Sequence, residues 1–334
     1  MPQPPVETPD RADRGLAAGS VSGRAYPYNV LLYYCFAEVE DPVKLAESET
    51  AICVSHSLRG RIIVAPEGIN GTISGLVSDC EAYQSNLARH FPDVAFKSEP
   101  AERHAFKSLK VKVRQEIVTL AHPIVGRVED RTAPRLSPAQ WQSSMSEPDT
   151  ILLDGRNKYE SDLGHFIGAV RPPLDHFRDF PRWLIENRAM FEGRKILTYC
   201  TGGIRCEKLT AWMLQNGFEN VYQLDGGIVK FGQDPVERGR GFAGVNVVFD
   251  ERVVTPVGDQ AEPVSRCESC GTSTTNYVNC ANVECNKRLI LCPTCEAETR
   301  RSCSPECRCA PRRREKGERY YDWAENPDSS TIIP

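Results

Sequence analysis

With 334 residues the chain is long enough for two or three domains with cores of their own. A formal charge of -4 excludes a globally basic nucleic-acid binder, although it leaves local cationic patches open. No apolar run approaches the ~20 residues of a membrane span, and the polar start with Pro2, Pro4, Pro5 and Pro9 lacks the pattern of a signal peptide. The fourteen cysteines include C-x-x-C pairs, which on a chain of this size fit a reducing compartment better than a disulfide framework, so the cytoplasm is the expected location.

Residues 1–25 read as a disordered leader. Asn29 to Phe36 is strand-like, Asp41 to Leu58 is helix-like with an Asp41-Pro42 capping start, and Arg61 to Ala65 is a second strand. Gly68-Ile69-Asn70-Gly71 reads as a turn into Thr72-Ile73-Ser74, Asp79 to Arg89 as a helix, and Leu109 to Val113 as a fourth strand. The order βαββαβ is that of the ferredoxin-like split motif, so residues 26–125 are expected to form one α+β domain. Polar sequence with Pro134 and Pro138 predicts a flexible linker over 126–140. In 141–240 the buried strand Ile151 to Asp154, the strand Ile196 to Thr198, a helix over Glu207 to Asn216 and the strand Val221 to Leu224 alternate, which implies a parallel α/β sheet. A connecting segment (241–266), a cysteine-rich module (267–310) and a basic, aromatic tail (311–334) complete the chain.

The stretch from Tyr199 to Cys206 reads as a nucleophile loop: a strand feeds Cys200, Gly202 and Gly203 let the backbone curl, and Arg205 and a helix start add positive potential. Inward-pointing amides of such a loop favour an anion or a charged sulfur, so an exposed Cys200 thiolate is expected. Four residues (Thr201, Gly202, Gly203 and Ile204) separate Cys200 from Arg205. This loop resembles the rhodanese active loop, whose cysteine carries a persulfide; cysteine phosphatases resemble one another in a longer loop, and this one is too tight for a phosphate ester. The inert alternative is a buried packing cysteine. Cys206 is a candidate resolving thiol for an oxidised Cys200, with packing as its alternative role. Asp154, Arg156 and Glu160 read as structural ion pairs, and His165 as fixing a turn. No histidine is spaced with a carboxylate as in a non-haem iron site, and no further glycine-rich stretch suggests a flavin or nucleotide cofactor.

Lys110, Lys112 and Arg114 alternate with Leu109, Val111 and Val113, so a period of two gathers three cations on one strand face; Arg103 and Lys107 precede them. The stripe suits RNA phosphates or is simply a solvated face. Arg308, Arg312, Arg313, Arg314, Lys316 and Arg319, followed by Tyr320, Tyr321 and Trp323, combine cations with aromatics as single-stranded RNA grips do, or form an exposed tail.

Eight cysteines fall into the pairs Cys267/Cys270, Cys280/Cys285, Cys292/Cys295 and Cys303/Cys307, with Cys309 left over. Each short loop is able to present two sulfurs to one metal, and structural zinc takes four. Four successive pairs permit an interleaved arrangement, the first pair sharing an ion with the third and the second with the fourth, but the sequence leaves the pairing open; disulfides or free thiols are the alternative.

Ala65-Pro66-Glu67-Gly68-Ile69-Asn70-Gly71-Thr72, the Cys200 to Lys208 loop, Asn246-Val247-Val248-Phe249-Asp250-Glu251-Arg252 and the cysteine-rich end together resemble the oxygen-dependent tRNA uridine hydroxylases over nearly residues 28 to 310. The resemblance implies an enzyme that converts the wobble uridine of certain tRNAs to 5-hydroxyuridine with molecular oxygen, with Cys200 as its active residue. The cationic strand face would then bind the anticodon arm, and oxygen activation is left open between a Cys200 persulfide or sulfenate and a further cofactor. A sulfurtransferase working through a Cys200 persulfide and a non-catalytic zinc and RNA-binding module are the competing readings. The oligomeric state is left open.

Overall fold

The computed structural model describes residues 26–259 and 262–314. The leader and the tail cations and aromatics Lys316, Arg319, Tyr320, Tyr321 and Trp323 lie outside the described residues.

The first unit runs β1 (Tyr28–Phe36), α1 (Pro42–Ser55), β2 (Arg59–Ala65), β3 (Gly68–Leu76), α2 (Val77–His90), β4 (Ala95–Ala101) and β5 (Leu109–Val113). Helix α1 starts where the sequence predicts, because the Asp41 carboxylate accepts from the amides of Val43 and Lys44 and Pro42 occupies the first turn. The strands form one sheet in the order β4-β1-β3-β2-β5. Leu31, Tyr33, Ile62, Val64, Ile69 and Ile73 pack on one side with Cys53, Cys80, Tyr83 and Leu87 from the helices. Alternation leaves Leu32, Tyr34, Thr72 and Arg61 on the other side.

Two expectations for this unit change. The fourth strand of the split motif is Ala95–Ala101, which pairs with β1, whereas Leu109–Val113 is a fifth strand added parallel to β2 at the opposite edge. Strand β4 is hard to see in sequence because Lys97, Glu99 and Pro100 interrupt it, and Pro100 is tolerated there because an edge strand leaves one row of amides unused. The chain reverses at Pro66-Glu67, not at Gly68 to Gly71: Ala65 pairs directly with Gly68, and Asn70 and Gly71 are already in β3.

The second unit runs α3 (Val128–Arg131), β6 (Arg135–Leu136), α4 (Pro138–Ser144), β7 (Thr150–Asp154), α5 (Lys158–Leu163), β8 (Gly164–Phe166), α6 (Phe180–Glu186), β9 (Lys195–Tyr199), α7 (Ile204–Gln215), β10 (Val221–Leu224), α8 (Gly227–Gln233) and β11 (Phe242–Gly244). Its parallel sheet has the order β6-β10-β9-β7. Phe180 and Leu184 of α6 with Leu209, Trp212 and Met213 of α7 cover one face, and Trp141 of α4 with Ile228 and Phe231 of α8 cover the other. The stretch 126–140 is therefore not a free connector along its length. Arg135 and Leu136 enter the sheet, and Pro138 opens α4 behind a Ser137–Gln140 capping box.

The remaining elements are β12 (Asn246–Val247), β13 (Val254–Thr255), β14 (Tyr277–Asn279), β15 (Arg288–Ile290), α9 (Pro293–Glu298) and α10 (Pro305–Arg308). Ile290 and Tyr277 of the cysteine-rich part pack with Tyr159 and Leu163 of α5, and the Arg288 guanidinium lies 4.0 Å from the centre of the Tyr159 ring.

Candidate active site and metal centres

Strand β9 delivers Cys200 to the sheet's carboxyl end, where ligands of open α/β sheets collect. The loop turns on Gly203, whose φ of 104° belongs to glycine and which caps α7. Its amide donates to the Cys200 sulfur at 3.1 Å. The amides of Ile228 and Val229 hold the carbonyls of Cys200 and Thr201, each at 3.0 Å, and so lock the loop against α8. Burial opposes ionisation of Cys200, but the Cys206 thiol, the Arg205 guanidinium and the amides of Cys206 and Gly203 outweigh it and bring the thiol down to about 5. Cys206 moves the opposite way, raised by burial and by its hydrogen bond to the Cys200 sulfur. The pair thus shares one negative charge, centred on Cys200.

Arg205 serves the loop by a bidentate pair with Glu160, at 2.7 Å to each carboxylate oxygen, and a 3.2 Å bond to the Thr201 hydroxyl. Glu160 is fully buried on α5, so it fixes where the guanidinium stands and offsets part of its charge. Asp154 and Arg156 form a second buried pair, with the Tyr199 hydroxyl donating to Asp154 at 2.7 Å. His165 faces the Ser161 carbonyl at 2.8 Å.

The expected exposed thiolate is not what the fold presents: Cys200 has 0% of its surface accessible. The first unit's sheet roofs the loop. A Cβ added to Gly202 would lie 2.7 Å from a Leu32 methyl, and one on Gly203 would lie 2.7 Å from the Tyr34 hydroxyl. The glycines therefore serve the approach of the roof as well as the curl of the loop. Four successive residues of α7 tie the loop to its surroundings, the last two of them to the first unit. Arg205 takes Glu160, and Cys206 takes Cys200. Glu207 accepts from Tyr34 at 3.1 Å and Arg135 at 2.8 Å. Lys208, 4% exposed, is clasped by Glu67 and Glu116 of the first unit. Glu67 sits at the β2–β3 reversal, which gives the Ala65 to Thr72 motif its structural purpose.

Beside the loop a cleft opens between the units, lined by Val30, Leu32, Thr72, Lys97, Thr201 and Phe249 among others. Sequence reasoning missed Lys97, because β4 itself went unseen. Its signal was a lysine in phase with the roof face of the sheet.

The cation stripe lies at the far edge of that sheet. Leu109 and Val111 pack toward the helices, so Lys110 and Lys112 take the roof face. Arg103, Lys107 and Arg114 are exposed, with Lys107 at 3.9 Å from Glu251. Cross-strand pairing aligns Lys97, Leu32, Thr72, Arg61 and Lys110 in one row, which joins the cleft to the stripe. Two tail arginines behave differently from the expected RNA grip. Arg313 donates to the Ser302 hydroxyl and the Cys307 carbonyl, and Arg314, 4% exposed, donates to the Asn286 side chain at 2.6 Å, so both brace the cysteine module.

The cysteine pairs meet as two tetrads, Cys267, Cys270, Cys292 and Cys295 in one and Cys280, Cys285, Cys303 and Cys307 in the other, with all four sulfurs of each within 4.8 Å of one another. Sulfur separations of 3.6 Å for Cys270–Cys292 and 3.5 Å for Cys285–Cys303 and Cys303–Cys307 are too long for a disulfide. They match the ~3.8 Å edge of a tetrahedron with bonds of ~2.3 Å to zinc. Cys309 is exposed and stands outside both groups.

Family models fit this architecture: a UPF0176 acylphosphatase-like domain over residues 28–117, a rhodanese-like domain over 137–234 and a rhodanese C-terminal region over 243–308. The chain is thus an enzyme built on a rhodanese domain with an acylphosphatase-like roof. Proteins named tRNA uridine(34) hydroxylase from Bacillus mycoides, Bacillus thuringiensis and Bacillus anthracis are each 45% identical to it over 297 residues, covering 86% of this chain and 91% of theirs. The chain belongs to the tRNA uridine(34) hydroxylase family.

Proposed function

We propose that this protein hydroxylates uridine 34 of tRNA to 5-hydroxyuridine with molecular oxygen as co-substrate, and that Cys200 is its reactive group. The observation that carries the reading is Cys200 cradled by the Gly203 amide in a loop whose next residue, Thr201, lines the inter-unit cleft, in a chain 45% identical to tRNA uridine(34) hydroxylases. Arg205, held by Glu160, and the Thr201 to Ile204 loop keep the sulfur charged and in place. Cys206 supports the thiolate in the reduced state and is the nearest partner for an oxidised Cys200. Since Cys200 has no exposed surface, reaction requires the roof and the loop to part enough to admit a base. The wobble base, already single-stranded, costs less to extrude than a paired one.

Lys110, Lys112, Arg114, Arg103 and Lys107 are assigned to the phosphates of the anticodon arm. The double variant Lys110→Ala, Lys112→Ala is expected to weaken tRNA binding about tenfold at low salt and to reduce the slope of log affinity against log salt by roughly 1.4. An unchanged slope measured by filter binding removes these residues from the interface. The two tetrads are assigned to structural zinc, with four thiolates held by each ion. No helix among the described residues is long and apolar enough to cross a membrane, and a cytoplasmic site of action follows from the proposed substrate.

Nucleoside mass spectrometry of tRNA from cells lacking the gene tests the reading. Loss of 5-hydroxyuridine and its return with the restored gene support it. Unchanged tRNA nucleosides together with robust thiosulfate turnover by the purified protein favour a sulfurtransferase instead.

A further inference from the structure

Lys97 is 9% exposed, lines the cleft beside Thr201, and lies with its side chain against the Gly226 turn that backs the catalytic loop. Its ammonium is 5.0 Å from the centre of the Tyr34 ring, and among the described residues no hydrogen bond or ion pair holds it. The other charges of the cleft are matched: Arg252 takes both Glu99 and Asp250. Burial draws the lysine down to about 8, against the pull of Cys200 and Asp225, so it still carries a proton at neutral pH. A buried cation with unused donors is costly unless something enters to use them.

The rest of the cleft indicates what enters. Val30, Leu32, Val229 and Val248 make its walls apolar, and Phe249, 43% exposed, offers a ring at its rim. An apolar slot with an aromatic platform and one convergent donor suits a flat heterocycle that carries a carbonyl oxygen. Of the two pyrimidines, the uracil ring presents an acceptor oxygen at C4 where cytosine presents an amino donor. An ammonium at that position favours the first and repels the second.

Resting on the hydroxylase reading above, we propose that Lys97 and Phe249 form the nucleobase subsite: Phe249 stacks on the extruded base and the Lys97 ammonium donates to its C4 oxygen, selecting uridine over cytidine. The row from Lys97 through Arg61 to Lys110 then leads from base to backbone across one face of the sheet. Lys97 touches substrate in this scheme; its charge also reaches Cys200, but the Cys206 thiol, Arg205 and the loop amides are what chiefly hold that sulfur charged.

The experiment restores a gene-deletion strain with wild-type protein, Lys97→Met, Lys97→Arg or Phe249→Ala. It measures 5-hydroxyuridine per tRNA, and on the purified proteins it measures melting temperature, tRNA affinity and the thiolate absorbance of Cys200. For Lys97→Met the expected result is a tenfold or greater loss of 5-hydroxyuridine, with tRNA affinity within about threefold of wild type and the thiolate retained. Lys97→Arg is expected to recover part of the loss and Phe249→Ala to lose about fivefold. The subsite is overturned if Lys97→Met, folded as judged by melting, keeps modification within twofold of wild type. It is equally overturned if that variant loses the Cys200 thiolate along with activity, because the lysine would then serve the sulfur and not the base. Absence of 5-hydroxyuridine with the wild-type gene itself would instead reject the underlying hydroxylase reading.

Discussion

Replacing Cys200 by serine is expected to lower 5-hydroxyuridine in tRNA by roughly 10³-fold or more while leaving the melting temperature nearly unchanged. On the proposed role of Cys200, the substitution removes the reacting atom and with it the chemistry. A serine hydroxyl is similar in size, but it stays neutral where the thiol, brought to about 5, is an anion at neutral pH. Its oxygen still meets the Gly203 amide, so the loop keeps its hydrogen bond and the fold loses little. Cys206→Ala, which removes the side-chain donor altogether, separates the roles further. The loop then loses the thiol that supports the charge of Cys200, the thiolate titrates at higher pH, and activity falls most on the acid side. Nucleoside mass spectrometry of strains carrying each variant alone reads both effects. Wild-type modification with Cys200→Ser would show that another group performs the chemistry.

The second large effect concerns the metal tetrads. Purified protein is expected to carry about two zinc ions per chain, and Cys292→Ser to carry about one. Each ion contributes folding free energy on the order of 10 kcal/mol in small thiolate modules. The cysteine-rich segment has little else to fold around, since its core consists of Val278, Leu289 and Leu291 set among the cysteines themselves. Loss of one ion should therefore unfold the part of the module that it ties, seen as faster amide exchange over residues 267–295. The effect should reach the Cys200 loop in attenuated form, because Tyr277 and Arg288 lean on Tyr159, the neighbour of Glu160 on α5. Metal analysis by mass spectrometry checks the count. Stoichiometry near zero in a folded sample would return the module to free thiols.

How much of this was legible in the sequence depended on whether the chemistry was local. Cys200, Gly202, Gly203 and Arg205 lie within one turn of chain, so their meaning does not wait on the fold. The cysteine pairs carry their ligand spacing in themselves, and the structure groups the first with the third and the second with the fourth. Partnerships across the chain were invisible. Nothing near Arg205 announces Glu160, nothing near Lys208 announces Glu67 and Glu116, and the roof of Leu32, Tyr34 and Lys97 comes from a different unit. That roof also explains the main difference from expectation, the burial of Cys200: local sequence describes the loop, and only the docking of another sheet decides what covers it. Strand β4 escaped because Lys97 and Glu99, which break its apolar pattern, are there for the cleft and not for the core.

The central claim is that the loop holds Cys200 as a thiolate near neutrality, and a difference titration measures it most directly. The ultraviolet thiolate absorbance of wild-type protein minus that of Cys200→Ser, followed across pH in the zinc-loaded state, isolates this one sulfur from the other thirteen cysteines. Lowered from its ordinary value, the group is charged above its midpoint and neutral below it, so the account predicts a midpoint at about 5 and a full signal at pH 7. A midpoint near the ordinary thiol value of ~8.5 would contradict it.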